Sequence, residues 1–216
     1  MNIIEYNGWK LKKHFIENLE HKDKLKLSEF LFNYFRSKGF PFPKFTSSEL
    51  QKDWKNLFNF NSSTLEKNNI ISDYKAIGSK LFKHYSPHIF ETKTKTKPSM
   101  IEAFNDDNLL QMCIKNRLGI TYKETFNITN AMLLQGFRNS HISASISIFK
   151  PSIAKFIYDK FTSNGDTIYD FSIGFGQRFL GAASTKKELF YVGCDPWSKS
   201  IERFTVRKLQ NASNYL

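Results

Sequence analysis

Apolar positions recur at helical spacing through most of the first 140 residues. Trp9 to Leu19 and Lys26 to Phe35 each set Leu, Ile or Phe three and four apart, which predicts amphipathic helices. Gly39-Phe40-Pro41-Phe42-Pro43 then breaks the pattern, because two prolines remove donors that a helix needs. Thr46-Ser47-Ser48-Glu49 has capping-box spacing and opens a helix carrying Leu50, Trp54 and Leu57. A second box, Ser99 to Glu102, opens Met100 to Phe104. Asn105 or Asp106 caps the next helix, which runs through Leu109, Leu110, Cys113, Ile114 and Arg117 until Gly119 ends it. From His141 to Phe149 the chain alternates Ile and Ser, the pattern of extended backbone, and a domain boundary is expected near residue 140.

Beyond that boundary the pattern changes. Pro151 stands at the first position of a helix whose apolar residues Ile153, Ala154, Phe156, Ile157, Tyr158 and Phe161 fall three and four apart. Asp166 to Phe171 is β-branched and aromatic and predicts a buried strand. The stretch Tyr169 to Arg178, YDFSIGFGQR, then carries Gly174 and Gly176, residues able to take positive φ and to bring the main chain close to a ligand. Arg178 to Ala183 predicts a helix, and Leu189 to Cys194 a second strand ending on Asp195. Strand, glycine turn, helix and strand make a βαβ unit with the turn aimed at a ligand. An acid about twenty residues beyond the glycines, at the end of the second strand, suits a ribose diol.

The dinucleotide fingerprint is not met, since Phe179 stands where Gly-x-Gly-x-x-Gly needs its third glycine and the next one is Gly181. Asp170, four residues ahead of Gly174, suits a ligand bearing an ammonium group. DFSIGFG followed by YVGCDP resembles the first two cofactor motifs of class I S-adenosylmethionine-dependent methyltransferases. Phe149-Lys150-Pro151, one helix upstream, resembles the N-terminal cofactor motif of their phage and bacterial DNA amino-methyltransferases.

The resemblance implies an α/β chain. A mainly helical accessory domain over 1–140, available for DNA contact, would precede the first βαβα part of a Rossmann-like methyltransferase fold over 141–216, incomplete because only two strands can be placed. S-adenosylmethionine is the implied cofactor. Asp170 would face its ammonium, directly or through water, and the main chain at Ser172, Gly174 and Gly176 would pass its methionine and ribose. Asp195 would take the ribose hydroxyls, with Pro196 or Trp197 against adenine. Phe149 and Pro151 would close the pocket, and Lys150 would meet the methionine carboxylate. Gln177 and Trp197 depart from the residues common in relatives, a further glycine and a smaller polar side chain.

The family's catalytic motif, (Asp/Asn/Ser)-Pro-Pro-(Tyr/Phe/Trp), which holds the exocyclic amine of a flipped base, occurs nowhere in the 216 residues, so no catalytic residue is assigned. The chain is expected to need a complementing C-terminal segment or partner chain and to be inactive alone. Two other readings remain: a non-enzymatic basic DNA- or partner-binding protein with a vestigial cofactor site, and an RNA methyltransferase.

The formal charge of +12 and a pI near 9.6 suit a polyanionic partner. Residues 1–100 share in it, with 18 Lys and Arg against 10 Asp and Glu. A composition rich in Lys, Asn, Ile and Phe, as AT-rich coding produces, is the competing source of that charge. Glu91 to Pro98 alternates Lys and Thr, which suits a solvated loop or hairpin edge, with phosphate contact as the sharper reading. Cys113 and Cys194 make no disulfide framework. His84 and His88 lack the further ligands of a metal site. Met1 to Tyr6 shows no leader pattern and no apolar run reaches membrane length, so a soluble cytoplasmic protein is expected.

Overall fold

The computed structural model describes residues 11–67, 70, 71, 77–122 and 124–203, the last three by backbone alone. The chain is mixed α and β, about 54% helical with small sheets. In order it forms α1 (Lys13–Glu17), α2 (His21–Lys38), α3 (Ser47–Phe58), β1 (Glu66–Lys67), β2 (Ile70–Ile71), α4 (Ser79–Tyr85), α5 (Met100–Asn105) and α6 (Asp107–Arg117). Then follow α7 (Asn130–Asn139), α8 (Pro151–Phe161), β3 (Thr167–Asp170), α9 (Gln177–Ala183), β4 (Phe190–Gly193) and α10 (Ser198–Arg203). No helix among the described residues is long and apolar enough to cross a membrane.

Local chemistry sets most of these ends. Thr46 and Ser99 both close reciprocal capping boxes with Glu49 and Glu102, and Asp106 caps α6 through the Leu109 N–H. Gly119 ends α6 at a φ of +69°, where a Cβ would lie 2.7 Å from the Thr125 methyl. The helix expected from Trp9 begins at Lys13, and Trp9 itself lies outside the described residues. The Ile-Ser alternation before α8 forms no strand among the described residues; its Ile142 and Ser143 N–H groups donate to Phe137 O and its Ala144 N–H to Pro98 O instead. Glu91 closes a 3-10 turn (Pro87–Glu91) and Thr92 to Pro98 is a loop, turned by Thr94 N–H bonding Lys97 O at 3.1 Å.

The chain divides into two compact units. One joins the residues up to Pro43 with Phe90–Ile146; the other joins Lys44–Ile89 with the residues from Ser147 onward. Against a boundary expected near residue 140, the division falls after Ile146, and the segment 44–89 belongs to the same unit as the glycine turn.

The first unit is a small helical body. α6 packs against α2, α5 and α7, and Leu27, Leu31, Phe35, Phe104, Leu110, Ile114, Leu133 and Phe137 are buried in it. Gly136 is where α7 crosses α6: a Cβ there would meet Cys113 Sγ and Arg117 Cδ at 2.9 Å. Burial pushes the Cys113 thiol up to about 12, so it is an inert core group.

The second unit holds the glycine turn. α3 and α4 pack together, with the Asp53 carboxylate on α3 accepting from the Gly78, Lys80 and Leu81 N–H groups that begin α4. Leu50, Trp54 and Leu81 form an apolar cluster against which Leu180 of α9 packs. β3 and β4 run parallel, joined through α9, with Ile168 opposite Tyr191 and Asp170 opposite Gly193. α8 lies on α9 at Gly181, where a Cβ would come within 2.4 Å of Ala154 Cβ and 2.8 Å of Pro151 O. Two lysines complete these helices. Lys187 donates to the carbonyls of Tyr158, Asp159 and Thr162 at the end of α8, and Lys155, itself buried, donates to Ser184 O at the end of α9.

Candidate functional site

Asp170, Gly174, Gly176 and Asp195 are brought together by the parallel register. The ladder continues past the strand ends through Cys194 N–H to Asp170 O at 2.8 Å and Ile173 N–H to Cys194 O at 2.9 Å, so the glycine turn lies against the Asp195 segment. Gly174 and Gly176 take φ of +57° and +82°, and Gly176 is the N-cap of α9. A Cβ on Gly174 would meet nothing nearer than Ser172 O at 3.9 Å, so the main chain there borders open space.

The two acids differ in how much of their hydrogen-bonding capacity the protein uses. Asp195 Oδ2 accepts from Gly174 N–H at 2.8 Å, and Oδ1 from Trp197 N–H at 2.9 Å. A carboxylate has about four acceptor positions, so about two on Asp195 have no partner among the described residues. Asp170, 7% exposed, is filled. Its Oδ1 accepts from Ser172 N–H at 3.1 Å and Arg178 Nη2 at 2.9 Å; its Oδ2 accepts from Arg178 Nε at 2.9 Å and from the Tyr191 hydroxyl. Burial raises the Asp170 carboxyl, but Arg178 and Tyr191 outweigh it and hold the pKa below the ordinary carboxylate value. Arg178 is raised in turn by the same pairing, and Tyr191 is raised first by burial and then by donating to Asp170.

The ammonium role that the resemblance implies for Asp170 therefore meets a competitor already in place. Arg178 also donates to Ser172 O, and its guanidinium carbon lies 5.7 Å from the centre of the Phe149 ring. Phe149 is thus joined to Asp170 through Arg178. Lys150 is the N-cap residue of α8, its carbonyl accepting from the Ile153 and Ala154 N–H groups at 3.1 Å, and Pro151 is buried at the first helical position. Pro196 is exposed, whereas Trp197 is half-buried.

Trp197 has company that the sequence did not announce. The fully buried His88 ring lies 5.0 Å from Trp197 and 5.1 Å from Phe175, and Ser86 Oγ donates to Phe175 O at 3.0 Å. The segment after α4 thus holds the glycine turn from outside the βαβ unit. His88 has no local signal for this role, since only the tertiary fold brings it there. Arg178 and Tyr191 did have one: strand alternation puts Tyr191 on the face of Asp170, and Arg178 follows the turn closely enough to reach back.

Among the described residues no group of three or more His, Cys, Asp and Glu could hold a metal. No protein-family model, curated protein or solved structure matches the chain.

Proposed function

We propose that the chain carries the S-adenosylmethionine-binding part of a DNA amino-methyltransferase, adenine N6 or cytosine N4, built as the opening of a Rossmann-like sheet. The observation that carries this reading is Asp195. It lies two residues past the end of the second of two parallel strands, anchors the glycine turn of the first through Gly174 N–H, and keeps acceptor positions, unfilled among the described residues, beside Gly174. That arrangement suits a ribose diol, with Phe175 and Trp197 offering rings to a base. The charge of +12 favours a nucleic acid as the second ligand. A complementing segment or chain would supply the amine-binding motif and cover the sheet face on which Tyr169, Phe171, Phe190 and Val192 are exposed.

Titration calorimetry with S-adenosylmethionine tests the cofactor reading. Asp195→Ala is expected to weaken binding about tenfold or more, the loss of hydrogen bonds to a charged acceptor. Absence of heat at millimolar cofactor in the unmodified chain would overturn it.

One observation favours a second reading. A saturated Asp170 is what a DNA-binding protein with a relic cofactor turn would retain. In that case DNA retention in a gel shift stays unchanged by Asp195→Ala and by added cofactor. Comparing duplex DNA with structured RNA in the same assay separates the RNA-methyltransferase alternative.

A further inference from the structure

Resting on the cofactor reading above, we propose that Arg178, and neither Asp170 nor Lys150, faces the amino-acid end of the cofactor, receiving its carboxylate, while Asp170 is the residue that positions Arg178. Asp170 has four donors on its two oxygens, which leaves no acceptor position for a ligand ammonium. Arg178 has the opposite balance. Nε and Nη2 are committed to Asp170 and Ser172 O, while Nη1 has no hydrogen-bond partner among the described residues and the side chain is 31% exposed.

The geometry limits where that free edge points. Asp170 is buried and holds the guanidinium by two parallel bonds, so the plane of the fork is set by a carboxylate that is itself tied down by Ser172 N–H and the Tyr191 hydroxyl. Phe149 lies over the guanidinium at 5.7 Å, and Tyr191 donates to the same Asp170 Oδ2 that accepts from Arg178 Nε. With Nε and Nη2 both spent on Asp170 and Ser172 O, Nη1 alone is left, pre-oriented to donate to one oxygen of a ligand carboxylate. The turn thereby offers its ligand a cation where the resemblance implies an anion. It should accordingly discriminate for a ligand carboxylate.

The test compares S-adenosylmethionine with its decarboxylated analogue, which keeps the ammonium and the sulfonium, by calorimetry on the full chain. The unmodified chain is expected to bind S-adenosylmethionine at least about tenfold more tightly. Arg178→Met should bring the two ligands within about twofold by weakening S-adenosylmethionine alone. Asp170→Asn, nearly the same shape and the safer variant for folding, should narrow the ratio in the same way while the analogue stays within about threefold of its original affinity. Circular dichroism checks that each variant is folded. Equal loss of both ligands in Asp170→Asn would show that the acid serves the ammonium, and would overturn the proposal. So would a ratio kept in Arg178→Met but lost in Lys150→Met. If the unmodified chain binds neither ligand, the cofactor reading itself fails; if it binds both equally, only the assignment of Arg178 does.

Discussion

Tyr191 and Asp170 show how much one buried acid can organise. The Tyr191 hydroxyl is the fourth donor on Asp170, and the aromatic ring packs edge-on to Phe179 at 5.3 Å. Tyr191→Phe keeps that packing and removes the donor, so a loss of about 1.5–3 kcal/mol is expected in urea unfolding, as for a hydrogen bond to a charged group. A change within about 0.3 kcal/mol would show that Arg178 and Ser172 alone suffice. The pH dependence follows from the lowered Asp170 carboxyl. A folded-state value below the ordinary 3.8 means its contribution is complete above that ordinary value and is lost as pH falls through the lowered one. Asp170→Asn should therefore flatten the acid limb of the stability curve, read as melting temperature between about pH 6 and pH 2. An acid limb unchanged by Asp170→Asn would mean that other carboxylates govern it.

Between elements, glycine decides how closely helices approach. On an exposed helix, glycine to alanine stabilises by up to about 1 kcal/mol, because alanine loses less backbone entropy. Gly181 should reverse that sign. Its Cβ would lie 2.4 Å from Ala154 Cβ and 2.8 Å from Lys155 N, both on the body of α8, so α8 and α9 must separate. Overpacking of this kind costs about 1–3 kcal/mol, and Gly181→Ala should lower the urea midpoint accordingly. A raised midpoint would mean that the helices yield at no cost. Separation would also pull Ser184 O away from Lys155, whose buried ammonium already has its pKa lowered by burial.

At the scale of the whole molecule, the unit that holds the glycine turn is discontinuous in sequence. Leu180 of α9 packs on Leu50, Trp54 and Leu81, and Ser86 and His88 hold Phe175, so the segment 44–89 and the residues from Ser147 onward should unfold together. Trp54→Ala, a large truncation at a site 5% exposed, should cost about 3–5 kcal/mol. Hydrogen exchange should then show the amides of Leu180 to Ser184 losing protection along with those of α3. Protection lost in α3 but kept in α9 would show that the two segments are independent.

Much of this was legible in the chain itself. The capping boxes at Thr46 and Ser99, Pro151 at a helix start, the strands on either side of the glycine turn and the acid after the second strand all follow from chemistry within a few residues. The burial expected of the first strand, in contrast, is not met, since Tyr169 and Phe171 are exposed. Caps, proline and strand propensity act locally, and a periodic pattern needs no knowledge of its partner. Arg178 and Tyr191 were each legible as neighbours of Asp170, but that they fill it together with Ser172 N–H was not, because the donors come from the turn, from the helix after it and from the neighbouring strand. The same holds for His88, which in sequence reads with His84 as a pair lacking further ligands and in space lies against the rings of Phe175 and Trp197. Saturation of a carboxylate is a count of neighbours from several elements, and only the tertiary structure supplies that count.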